Sequence, residues 1–126
     1  MAHRHATDTP EYVVAGRHVK GVATPSQGSA EVTVLRAVLE PGAAEPPHQH
    51  DHEEVVLVLS GETARATIGA EEHRLEPRDT LIIPPQTTHQ LANTGDRPLE
   101  TIATHPSGTQ FLTPDGTAGK TPPWTR

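Results

Sequence analysis

Proline and glycine break this chain at short intervals, and that punctuation limits its possible folds more than any other feature. The breaks fall at Pro41-Gly42, Ser60-Gly61, Ile68-Gly69, residues 77–79, residues 94–98 and Ser107-Gly108. Both residue types weaken a helix interior, through a missing N–H or excess backbone freedom. Between the breaks lie short stretches rich in β-branched residues, at 31–39, 54–59, 63–68, 80–83, 89–93 and 99–104. Short strands separated by turns at such spacing predict an all-β sandwich or barrel. The segment 45–54 is no exception, because Pro46 and Pro47 interrupt any helix there.

Alternation along these stretches says which side chains point inward. Ala64, Ala66 and Ile68 share one face, and Thr63, Arg65 and Thr67 the other. Residues 55–59 are apolar at every position, which predicts a strand covered on both faces. His89, Leu91 and Asn93 share parity, so His89 is expected to point inward with a core residue. Residues 1–30 read as an arm with one strand near 12–15, residues 31–104 as the barrel, and residues 105–126 as a surface-wrapping tail. The 126 residues suit one domain with one core.

Charge and composition remove several function classes. The net charge is -6 and no basic run exists, so neither nucleic acid nor an anionic membrane is an expected partner. No apolar stretch reaches membrane-spanning length. The first ten residues lack the apolar core of a signal peptide, so a cytoplasmic location is expected. With no cysteine, zinc-thiolate sites and thiol nucleophiles are excluded.

The chemistry concentrates in histidine. His48, His50 and Glu54 form H-x-H-x-x-x-E, and His89 follows in P-x-x-x-x-H-x-x-x-N with Pro84 and Asn93. Residues two apart on a strand point the same way, so His48 and His50 can reach one metal. Imidazole and carboxylate suit a divalent transition metal and would leave coordination positions free for substrate or oxygen. Glu53 adjoins Glu54 and could replace it if the turn before it shifted by one residue.

The run from Gly42 through His48, His50 and Glu54 to Gly61 resembles the first motif of the cupin superfamily. Pro84, His89 and Asn93 resemble the second, which departs at two turn glycines occupied here by Arg78 and Gln86. The resemblance implies a double-stranded β-helix, or jelly-roll barrel, and frequent homodimers. It also implies one divalent metal per chain (iron, manganese, nickel, copper or zinc) held by His48, His50, Glu54 and His89. The expected partner is a small-molecule substrate with adjacent oxygens that chelate the metal.

Within that resemblance, a dioxygenase-type oxidoreductase is the first expectation. An isomerase, cyclase or lyase comes next, then a non-catalytic module binding a sugar or metabolite. Glu54 is a candidate base as well as a ligand. His52 is expected outside the metal shell, as a rim histidine able to act as acid or base. Asn93 is read as structural, and His73 and the His3, His5 pair as surface features. His105 is a weaker candidate for the barrel mouth. Arg36 and Arg65 could meet an anion but are expected to face outward. Phe111 and Trp124 are expected to pin the tail to the outer wall, leaving an aliphatic pocket, the alternative being that they fold back over the barrel mouth and join the site.

Overall fold

The computed structural model describes residues 2–126 and is built almost wholly from strands. In chain order they are β1 (Tyr12–Val14), β2 (Arg17–Ala23), β3 (Val32–Leu39), β4 (Gln49–His50), β5 (Glu54–Ser60) and β6 (Ala64–Ile68). Then follow β7 (Glu71–Leu75), β8 (Thr80–Ile83), β9 (His89–Asn93), β10 (Leu99–Pro106) and β11 (Phe111–Leu112). No helix among the described residues is long and apolar enough to cross a membrane.

Three antiparallel sheets close the barrel. The largest runs β1-β2-β3-β10-β5-β8, the second β7-β6-β9, and a small third pairs β11 with β4. Leu39, Val56, Val58, Leu81, Ile83 and Leu99 project from the large sheet to meet Ala64, Ala66, Leu75 and Leu91 from the second. Alanine at 64 and 66 lets the two layers close tightly, and larger residues opposite fill the remaining space.

Strand parity decides what enters the interior. On β5, Glu54, Val56 and Val58 are buried while Val55 and Leu57 are only half covered and Leu59 is exposed. The expectation that both faces of this strand are covered is therefore corrected, since its outer face has no second layer. β7 escapes a reading by alternation because four of its five residues are exposed, as suits a polar strand at a sheet edge.

The N-terminal segment contributes more than one short strand. β2 pairs with most of β3, Arg17 opposite Leu39 and Val19 opposite Ala37, with a register shift between Gly21 and Ala23. Gly21 lies under the C-terminal turn (Pro123–Thr125), and a Cβ there would meet the Trp124 carbonyl oxygen at 2.2 Å. Only glycine permits this approach, so the chain's two ends lock together at β2.

Candidate metal centre and cavity

Three hydrogen-bonded pairings bring the sequence-predicted ligands to one end of the barrel. His48 and His89 exchange backbone N–H···O=C bonds at 3.1 and 2.9 Å, which places them directly opposite each other across an antiparallel pair. His50 pairs with Phe111, tying β4 to β11. The bend at 51–53 is held by Asp51, whose backbone N–H donates to the Gln110 carbonyl while its carboxylate accepts from the Gln110 N–H. The chain re-enters the barrel at Glu54, which is buried, whereas Glu53 is exposed. The choice between the two carboxylates thus falls to Glu54.

The imidazoles of His48, His50 and His89 offer ligand atoms within 4.8 Å of one another. Glu54 completes the cluster, one carboxylate oxygen 3.7 Å from His89 Nε2 and the other 3.9 Å from His50 Nδ1. His48 Nδ1–H donates to the Pro46 carbonyl at 2.8 Å, and His89 Nδ1–H to the Thr87 carbonyl at 3.0 Å. Each bond fixes the tautomer that leaves Nε2 with a free lone pair, the usual way a protein prepares a histidine for a metal.

Electrostatics give the same picture. Burial lowers the proton affinity of His48, His50 and His89, and that of His50 falls to about 2. All three are therefore neutral and able to ligate at neutral pH. Glu54 is pushed well above the ordinary carboxylate range, first by burial and then by the charge of Glu45. Both His50 ring nitrogens and His89 Nε2 are buried without hydrogen-bond partners. Unsatisfied buried polar atoms cost about 1–3 kcal/mol each. A dication at their centre would satisfy these atoms and supply the charge that ionises Glu54. The donor set fits such an ion, and three histidines here can form a metal site.

A cavity of about 330 Å³ opens beside His48 and Glu54. Its walls are aliphatic, from residues such as Val19, Leu35, Val56 and Leu91, but four further side chains change its chemistry. Glu45 accepts the Leu91 N–H at 3.1 Å through one oxygen, and burial raises its proton affinity. Arg17 enters from β2. Phe111 lies parallel to His48 at 5.6 Å between centroids, and Trp124 lines the cavity while packing at 6.1 Å from Tyr12. Neither tail aromatic is confined to the outer wall, so the expected purely aliphatic pocket is corrected. The tail folds inward because β11 pairs with the ligand strand β4.

Other sequence candidates lie elsewhere. His52 is exposed, bonded through Nδ1 to Asp51 at 2.9 Å, and does not line the cavity. Arg36 pairs with Glu100 at 2.8 Å, Arg65 is exposed, and His73 pairs with Glu71 on the surface. Asn93 is buried and structural: its amide donates to the carbonyls of Leu39 and Arg97, and its oxygen accepts from Gly95. His105 is buried, 5.9 Å from the His50 ring, with Nδ1–H donating to the Pro106 carbonyl and Nε2 unpartnered.

Sequence reasoning missed Glu45 and Arg17. Glu45 sits in a Pro-rich approach with no strand parity to read. Arg17 alternates with Val19 and Gly21, but its neighbours His18 and Lys20 are also polar, so alternation does not mark its face.

Comparison with known proteins agrees with the fold. Residues 35–105 match the family model described as a cupin domain. The polyketide cyclase RemF from Streptomyces resistomycificus superimposes with a TM-score of 0.77 at 16% identity, over 90% of this chain and 84% of that one. KdgF from a Halomonas species gives 0.68 at 22% identity, over 81% and 90%. A sugar phosphate isomerase of the cupin superfamily from Silicibacter pomeroyi gives 0.62 at 24% identity, over 83% and 81%. These are likenesses of fold. No curated protein matches by sequence.

Proposed function

The chain belongs to the cupin family, and from that premise we propose a metal-dependent enzyme acting on a small molecule with adjacent oxygens. His48, His50, Glu54 and His89 would hold one divalent metal. When bound, such an ion supplies Lewis-acid polarisation of a carbonyl or hydroxyl oxygen. The cavity, toward the lower end of the usual size for ligand pockets, suits a small organic molecule.

The observation that carries the reaction type is Glu45. One of its oxygens is fixed by the Leu91 N–H, and the other makes no protein hydrogen bond among the described residues. Glu45 shares the cavity with Glu54, and its raised proton affinity brings it closer to the range where a carboxyl exchanges protons efficiently. A carboxyl that can accept a proton from a carbon next to a polarised carbonyl and return it elsewhere supports isomerase, cyclase or lyase chemistry. The likeness to a polyketide cyclase and a sugar phosphate isomerase accords with this reading.

The second reading is a dioxygenase-type reaction, favoured by the predominantly aliphatic lining, which protects reactive oxygen species from water. Homodimerisation belongs to the proposal too. Val13 and Val14 on the edge strand β1 are 59% and 44% exposed, and they offer an apolar edge for a second copy.

A panel of hydroxyketones and 1,3-diketones, incubated with the protein in D2O under air, separates the readings. Deuterium incorporation without oxygen uptake, lost in Glu45→Gln at unchanged metal content, is the expected result. Oxygen uptake that survives Glu45→Gln assigns the dioxygenase. Saturable binding without turnover assigns a sensing module.

A further inference from the structure

Arg17 has no ionic partner inside the cavity. Its register on β2, directly opposite the buried Leu39, turns its side chain to the interior, because residues opposite each other on paired strands share a face. Its Nε is buried and makes no hydrogen bond. Among the described residues no carboxylate comes within ion-pair distance, although Arg36 on the neighbouring strand pairs fully with Glu100. Glu45 shares the cavity but does not pair with Arg17: one of its oxygens accepts from Leu91 N–H, not the guanidinium.

A guanidinium stays charged at any pH the folded protein meets. With Nε buried and no carboxylate within ion-pair distance among the described residues, the guanidinium would gain from an anion entering the cavity a partner that the protein itself does not supply. Its planar fork matches a carboxylate in two parallel hydrogen bonds. Arg17 lines the same cavity as His48, Glu45 and Glu54. Lys120 is the other cation lining the cavity, and it is exposed at the lip.

We propose that Arg17 is the anion clamp of this cavity and that the ligand it takes is a small aliphatic monocarboxylate. The carboxylate sits on the guanidinium, the hydrocarbon part lies against Val19, Leu35 and Val56, and the ligand's remaining oxygens face His48 and Glu54. This rests on the cavity being the substrate site proposed above. It adds the charge and class of the substrate.

The test uses the full chain, both as purified and after chelation with EDTA, with hexanoate and its neutral isostere hexanamide as probes. Binding is followed by calorimetry and by fluorescence of Trp124, the only tryptophan and a cavity-lining one. Hexanoate is expected to bind at least tenfold more tightly than hexanamide in both preparations. Arg17→Met abolishes that preference, Arg17→Lys keeps part of it, and Lys120→Met leaves it intact. Circular dichroism checks folding, and Arg17→Gln stands in should the Met variant fail to fold.

Three results overturn the clamp: no preference in the unaltered protein, a preference that survives loss of Arg17, or one seen only before chelation. A preference lost with Lys120 instead also overturns it. A protein that selects hexanoate but binds no metal refutes the metal-dependent reading and leaves the clamp standing.

Discussion

Phe111 lies flat against His48, the two rings parallel and 5.6 Å apart between centroids. The same phenyl ring meets His50 edge-on at 4.4 Å. A residue of the C-terminal tail thus fixes the orientation of two candidate ligands. Phe111→Ala is expected to cost about 1–3 kcal/mol of stability and to loosen metal binding, whereas Phe111→Leu keeps most of both. Urea unfolding and metal titration of the two variants check this.

Two turns, one of them bonded to His50, carry backbone strain. Arg78 and Gln86 have φ of 77° and 53°, in the left-handed region that favours glycine. Their N–H groups donate to the carbonyls of Val58 and His50, both at 2.7 Å. The left-handed conformation costs a non-glycine residue about 1–2 kcal/mol, partly offset because glycine loses about 0.5–1 kcal/mol more backbone entropy on folding. Arg78→Gly and Gln86→Gly are each expected to stabilise by about 0.5–1 kcal/mol, read as a shift in the urea midpoint.

Those two positions show how far the sequence could be read. The departure from the motif glycines was visible, but not that Arg78 and Gln86 would still adopt the glycine conformation, because hydrogen bonds to β4 and β5 hold them there. The clustering of the four candidate ligands was legible because strand parity and motif spacing are local properties. Phe111 was placed on the outer wall because its position depends on β11 finding β4, a pairing some sixty residues apart that no local pattern records, and Trp124 because its turn packs on Gly21 of the distant strand β2. β2 was read only in part, since its inward row of Arg17, Val19 and Gly21 contains one apolar side chain of ordinary size.

Stability of the metal-free protein follows from the buried histidines. His48, His50, His89 and His105 all bind protons less readily folded than unfolded, mainly through burial. Below about pH 6.5 the unfolded chain takes up protons that the native state refuses, so stability falls as pH drops. Glu45 and Glu54 are shifted the other way, and between about pH 4.5 and their raised folded values their contribution grows as pH falls. The histidine contribution is lost as pH drops below about 6.5, and His50, whose folded value is about 2, carries that loss furthest. Thermal unfolding of the chelated protein across about pH 3.5–8 checks the fall.

Gly21 tests the lock between the chain's ends. A Cβ there would stand 2.2 Å from the Trp124 carbonyl oxygen and 2.6 Å from Thr24 Cγ2. Gly21→Ala is expected to displace the terminal turn, destabilise by about 1–3 kcal/mol and shift Trp124 emission to the red as the cavity opens.

Metal content of the purified protein and its ligand variants tests the central claim most directly. Elemental analysis should find about one divalent transition ion per chain, the number that one set of three imidazoles and one carboxylate would hold. His50→Ala and His89→Ala should lose most of it, Glu54→Gln should lose a large part, and His73→Ala should keep it all. Full occupancy in a protein lacking both His48 and His89, or no metal in the unaltered protein after exposure to each candidate ion, would contradict the account.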